Sequence, residues 1–452
     1  MELKKKNPVY LLPTYSLTSD LLGFLRCGLQ YRYTTLGKVP ALRPVQLWFG
    51  QFIHGIMDEG FRRYAHACRE GSGISFPLPE TEIAEIIVTV QKRLSAQGLK
   101  ARNRDVEELG KRRAERSLNE LGPMLFPLIY RSEIRLTGTR DLPVGEIPEE
   151  YRFREITRYE MAGVVDVISH IQLAEAEEPS PQKDSGGDAN PASPEPDQKS
   201  GLSIWQRFVK HTSHILWRQN QNPGDLPSSS HDGYAARNQV VKVLREALND
   251  GPGKEARLPD EFELIIDYKG MRRPPSREKR SSSAPGLWES YGWQVQTYAH
   301  LREAQPGSFP VVAGLILYLN ELYPSPSDIE ELKNEIRQGT TDILPVKGGP
   351  DEKAILQWTP KMPLPELSLD FRLRRVMRVE PVSPETIDSS LREFDKVVVE
   401  IETCRGKELR NGRILTSWTA DTSNESTCTA CDIKTFCPSY GKADKPQAPG
   451  VS

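Results

Sequence analysis

Val311 to Leu319 is the longest apolar run in the sequence, and its nine residues set the first limit on the fold. That length suits a buried strand and falls well short of the roughly eighteen residues that cross a bilayer. A membrane partner is therefore not expected. The chain has 452 residues, more than one typical core, so it must hold two or three folding units or one elaborated core. Lys4, Lys5 and Lys6 imitate the basic start of a signal peptide, but Pro8 and Pro13 leave no continuous apolar stretch behind them. The expected location is cytoplasmic.

Ser16 to Tyr33 opens with cap-type residues, then places Leu21, Leu22, Leu25 and Leu29 at helical spacing. A clearer 3.6-residue period over Gln46 to Arg69 predicts a second helix, and charged helices are expected over 80–98 and 104–120. After Tyr130 the pattern turns to strands: Glu133 to Leu136, Tyr151 to Thr157 and Met161 to Leu173. Ala174 to Ser200 contains five prolines and no aromatic, Val, Ile or Leu residue, so its composition reads as a disordered insertion. Beyond it a helix (Tyr234 to Leu248), a strand (Glu261 to Tyr268), a helix (Gly286 to Arg302) and a strand (Val311 to Leu322) alternate. A further helix is predicted over Pro384 to Cys404. The expected organisation is a helical N-terminal region (1–130), an α/β core of a mixed sheet flanked by helices (131–173 and 232–325), a low-complexity insertion (174–231), and a C-terminal region (326–452) with a cysteine cluster.

The strand Leu264 to Gly270 ends in Asp267-Tyr268-Lys269. Period two puts Asp267 and Lys269 on one side. Phosphodiester hydrolysis uses a divalent cation to polarise phosphate and acidify a water, and an ammonium to orient that water or offset developing charge. A carboxylate and a lysine two apart supply both requirements, although an ordinary strand end turning polar has the same look. In Met161 to Ile168 a single acid, Asp166, interrupts an apolar strand. It either faces solvent or, if buried, needs a cation such as Mg²⁺ or Mn²⁺, which Asp267 would share. His54 lies on the second helix and could join the same metal. Gln294 and Tyr298 lie four apart on a helix, placed either to hold phosphate or the lysine or simply as a half-buried face. Lys269, Arg272, Arg273, Arg277, Lys279 and Arg280 form a local basic patch that a nucleic-acid backbone would need, or a solvated loop. The net charge of -2 gives no global basic signal.

Cys428, Cys431 and Cys437 form C-x2-C-x5-C, a spacing that lets one tight turn aim three thiolates at a common centre. A zinc knuckle is the competing reading of the trio. Cys68 and Cys404 lack such spacing and read as ordinary core or surface residues.

In order along the chain, Gly50 to His54, Gly163 to Asp166, Asp267 to Lys269, and Gln294 to Tyr298 resemble the motifs of the RecB-like branch of the PD-(D/E)XK nucleases. The resemblance implies that His54, Asp166, Asp267 and the Tyr268 carbonyl bind the metal. It also implies that Lys269 assists the attacking water and that Gln294 and Tyr298 support the site. The segment around Cys27 is similar to the first-cysteine segment of AddB-type and CRISPR-associated RecB-like exonucleases, whose [4Fe-4S] cluster joins one N-terminal cysteine to a C-terminal C-x2-C-x5-C. Cys27 would then be the fourth ligand beside Cys428, Cys431 and Cys437. Gly28 departs from that family, which often has proline there. The function so implied is metal-dependent cleavage of DNA, on single strands or at ends. The rivals are a catalytically silent DNA-binding subunit of a repair or defence complex and a zinc-stabilised RNA-processing nuclease. No G-x-x-x-x-G-K-[ST] is present, so progressive work on duplex DNA would need a separate helicase.

Overall fold

The computed structural model describes residues 12–39, 46–153, 157–173, 238–249, 258–276 and 285–440. Six strands form one mixed sheet: β1 (Thr14–Ser16), β2 (Ile129–Asp141), β3 (Arg158–Gln172), β4 (Glu261–Lys269), β5 (Val311–Tyr318) and β6 (Met377–Pro381). The helices used below are α1 (Leu22–Arg26), α2 (Gly28–Tyr31), α3 (Gln46–Arg69), α4 (Glu80–Ala96), α5 (Arg104–Arg116), α6 (Gln239–Asn249), α7 (Leu287–Glu303), α8 (Pro326–Gln338), α9 (Pro350–Gln357), α10 (Leu369–Val376) and α11 (Pro384–Asn411).

β5, the apolar run that dominates the sequence, lies inside the sheet, parallel to β4 and antiparallel to β6. A parallel neighbour cannot be reached by a tight turn, and α7 lies between β4 and β5 in the chain as the crossover such a pair needs. β3 is the longest strand. β2 runs antiparallel along one of its edges from Arg158 to Ser169, which leaves the other edge to β1 at Glu160–Ala162 and β4 at Val167–Gln172. Gly163 to Asp166 therefore lies in the gap between two strand neighbours, and that gap holds the site described below.

Apolar side chains cover the sheet on both faces. On one face Phe52, Ile53 and Ile56 of α3 pack with Val167, Ile266 and Leu315. The other face meets α7 and α11, where Tyr298, Val397 and Val398 join Met161, Val165 and Ile265. Burying each such large apolar side chain contributes about 1.5–3 kcal/mol. Helices α8 to α10 enclose a smaller cluster around Leu332, Trp358 and Phe371. Among the described residues, no helix is long and apolar enough to cross a membrane.

Several expected elements are redrawn. The helix expected over Ser16 to Tyr33 is broken at Cys27, whose backbone is extended (φ -168°, ψ 108°) between α1 and α2. The strand expected over Tyr151 to Thr157 is not formed in its described part: Tyr151 closes a 3-10 turn begun at Glu149, and its backbone packs so closely on α11 that a Cβ on Gly406 would meet its carbonyl. The strand expected to reach Leu322 ends at Tyr318 and continues as a 3-10 turn. α11 runs past Cys404, carrying Gly406 within it against Tyr151, and ends at Gly412 with φ 64°. β6 has no counterpart in the sequence reading. The insertion read from Ala174 to Ser200, and the wider segment 174–231, lie outside the described residues.

Candidate active site and cysteine cluster

At the end of β4 the two-residue spacing delivers Asp267 and Lys269 to the α7 side of the sheet, where Lys269 Nζ meets Asp267 Oδ2 at 2.5 Å. Gln294 on α7 accepts from Lys269 Nζ at 3.0 Å and donates from Nε2 to Asp267 Oδ1 at 3.2 Å. The same amide lies 3.2 Å from the Tyr298 hydroxyl, one helical turn along. Tyr291 puts its ring 4.2 Å from Lys269 Nζ, a cation–π contact that the sequence reading missed. Burial pushes the Asp267 pKa up, Lys269 pulls it down, and the charge on Asp166 adds to the rise. Such opposed influences on a buried carboxylate beside a lysine mark a candidate functional site.

Asp166 lies in the gap along β3. Its Oδ2 accepts from the Tyr268 backbone N at 2.8 Å, so the carboxylate satisfies a backbone donor at the end of the β3–β4 ladder. His54 Nδ1 approaches the same oxygen to 3.3 Å from α3. Burial disfavours the imidazolium, but the Asp166 and Asp267 carboxylates together outweigh it and the His54 pKa is raised. Gly163 allows α7 to approach: a Cβ there would stand 2.4 Å from Tyr298 Cε1. His54, Asp166, Asp267, Tyr268, Lys269, Gln294 and Tyr298 all line one cleft, with Thr18 at its side.

A further acid joins this set. The register pairs Ser132 with Val167 and Ile134 with Val165, which sets Glu133 across from Asp166. Glu133 has φ 51°, in the left-handed region that a non-glycine residue occupies at a cost of roughly 1–3 kcal/mol. The effect is a reversal of facing. Ser132 donates to Asp58 on α3, whereas Ile134, two residues on, packs in the cluster on the α7 side. Val167 and Val165 likewise belong to opposite cores. Among the described residues, His54, Glu133 and Asp166 are the group of metal-ligating side chains whose donor atoms all lie within 4.8 Å of one another. Asp267, expected in the same metal set, is not in that group and is held by Lys269 and Gln294. No hydrophobic period in the sequence marks the reversal, so Glu133 gave no signal beyond its place in an expected strand.

Cys27, Cys428, Cys431 and Cys437 line a second cavity together with Leu29 and Ile433. The extended residue at Cys27 breaks the helix there, and Leu29 N then donates to Thr419 O at 2.9 Å, tying the two ends of the chain beside the thiols. Burial first, then the neighbouring thiols, raise the pKa of Cys428 and Cys431. Among the described residues no three of these sulfurs lie within 4.8 Å of one another, whereas sulfurs at ~2.3 Å from a tetrahedral Zn²⁺ stand about 3.8 Å apart. Four thiols around one cavity could hold a metal centre. Cys404 lies elsewhere, on α11, where burial raises its thiol to about 11.

The basic patch is spent partly within the chain. Arg272 pairs with Glu331 at 2.8 Å and with Glu335, while buried Arg273 pairs with Asp342 and donates to the carbonyl of Met377 at 2.9 Å. Arg277, Lys279 and Arg280 lie outside the described residues. Compared with models of known protein families and with curated proteins, the sequence finds no match.

Proposed function

We propose that this chain is a metal-dependent deoxyribonuclease of the PD-(D/E)XK type, acting on single strands or DNA ends and carrying a structural [4Fe-4S] cluster. The observation that carries the reading is the hydrogen-bonded chain Lys269–Gln294–Tyr298 closed on Asp267, facing Asp166 and His54 in one cleft. Acids on adjacent antiparallel strands with a lysine two residues on also support the finer fold assignment.

Asp166, Asp267, His54 and the Tyr268 carbonyl would hold Mg²⁺ or Mn²⁺, which when bound supplies Lewis acidity toward phosphate and a more acidic water. Lys269 carries its charge into the cleft, where it can orient a water or stabilise charge developing on phosphate oxygens. Gln294 fixes the direction of that ammonium, and Tyr298 fixes Gln294. Cys27, Cys428, Cys431 and Cys437 would hold the cluster, whose part is to fasten the C-terminal segment to the N-terminal one. Unwinding of duplex DNA would fall to a helicase or to other subunits of a repair or defence complex.

The test is incubation of end-labelled single- and double-stranded DNA with wild type and Asp267→Ala, in Mg²⁺, Mn²⁺ or chelator. Shortening of the label that needs the cation and disappears in the variant is expected. Cleavage that survives either chelator or the substitution would remove this reading.

A further inference from the structure

Glu133 and Asp166 oppose each other across β2 and β3, an arrangement of like charges that weakens a strand pair unless something offsets it. The nearby cations are already engaged, Arg62 with Asp58 at 3.0 Å and Lys269 with Asp267 at 2.5 Å. A second, independent feature points into the same place. The Tyr268 hydroxyl is buried without a hydrogen-bond partner, its residue only 3% exposed, and the carboxylates acting on it are Asp166, Asp58 and Glu133. Its ring stands edge-on to His54, with centroids 5.9 Å apart.

We propose that Glu133, His54 and Asp166 form a second divalent-cation position, which takes His54 out of the ligand set given above, shares Asp166 with the cation held by Asp267 and the Tyr268 carbonyl, and lies beside the Tyr268 hydroxyl. Ligand oxygens around an octahedral Mg²⁺ at ~2.1 Å stand about 3–4 Å apart, so three donors already within 4.8 Å close on an ion by side-chain adjustment. The left-handed backbone at Glu133 is what turns this carboxylate toward its partners where regular alternation would direct the strand differently. Two cations sharing a carboxylate form the clamp that steadies both the attacking and the leaving oxygen of an in-line phosphoryl displacement. The inference rests on the reading of Asp166 as a cation ligand of a nuclease site.

Mn²⁺ binding to the full-length, cluster-loaded protein tests it, with free Mn²⁺ followed by electron paramagnetic resonance and folding by circular dichroism. Wild type should bind two ions with a spin-coupled signal, and Glu133→Gln should bind one. Glu133→Gly removes the same carboxylate while suiting the left-handed backbone, so it should fold and also bind one. Asp267→Asn should retain one ion, the one at Glu133. A single ion in wild type, or two in either folded Glu133 variant, would overturn the proposal. Two ions in Asp267→Asn, together with one in both Glu133 variants, would keep this position and instead remove Asp267 from the proposed catalytic metal set.

Discussion

Arg32 and Glu408, 376 residues apart in sequence, close as a two-pronged buried ion pair, with Arg32 Nε and Nη2 each 2.6 Å from a carboxylate oxygen. Trp418 Nε1 donates to the same carboxylate at 2.6 Å, so one acid of α11 anchors both the segment after Cys27 and the segment before Cys428. Glu408→Ala leaves a guanidinium buried without its counter-charge and should cost about 3–5 kcal/mol. Arg32→Met added to Glu408→Ala should recover much of that loss. Urea midpoints of the single and double variants check this, and a double variant no more stable than Glu408→Ala would show that the pair is not what sets stability there.

Lys269 is half-buried between Asp267, Gln294 and the Tyr291 ring, so its charge is fixed in place before any substrate arrives. Lys269→Ala should lower cleavage by roughly 10²–10³-fold, the scale seen on removing one group that stabilises transition-state charge, while DNA binding by gel shift stays within a few-fold. Equal losses of binding and cleavage would make Lys269 a substrate anchor instead.

The absence of a side chain at Gly163 lets the Tyr298 ring of α7 lie against β3. Gly163→Ala should displace the Tyr298 ring, loosen the contact with Gln294, and cost about 1–3 kcal/mol as an overpacked site. Combining it with Tyr298→Ala should restore the melting temperature without restoring cleavage. If Gly163→Ala alone left both melting temperature and cleavage unchanged, the packing argument for this glycine would fail.

Much of the sheet was legible because its strands are apolar runs with an acid at an informative place: β3, β4 and β5 were each located within a few residues. α3 was located from Gln46 to Arg69 because its 3.6-residue period is strong over its whole length. β6 was not legible. Its charged Arg378 and Glu380 interrupt any apolar pattern, yet Arg378 lies 3.8 Å from the Trp288 ring centroid and is 7% exposed, so tertiary contact decides what local pattern could not. His54, Asp166, Asp267, Lys269, Gln294 and Tyr298 line one cleft; strand alternation brings Asp267 and Lys269 there and helical spacing brings Gln294 and Tyr298, whereas Asp166 sits where β3 changes facing between Val165 and Val167. Glu133 escaped for the opposite reason: its side chain belongs to the site through a left-handed residue, which no alternation rule anticipates. Arg272 and Arg273 escaped too, since their acidic partners are distant in the chain.

The cysteine cavity lends itself to a prediction in which local and global effects separate. A clip between Cys27 and Cys428 closes so long a loop that the chain-entropy model assigns it about 6 kcal/mol. The ends are already fastened by Arg32–Glu408, by Leu29 N on Thr419 O, and by Trp418 buried against Tyr31 and Phe24. Those contacts order the ends in the folded state without restricting the unfolded chain, so the loop contribution is separate from them. Cys27→Ala should lose the brown colour and the roughly four irons per chain of a four-cysteine [4Fe-4S] site, with a lowered melting temperature. New protease cuts should fall after Trp418, where few apolar side chains hold the segment, while the sheet keeps its circular dichroism. Stoichiometric zinc in place of iron would favour the knuckle. Full iron and unchanged stability in Cys27→Ala would place the fourth ligand elsewhere, since Cys27 would then lie beside the trio without binding what the trio binds.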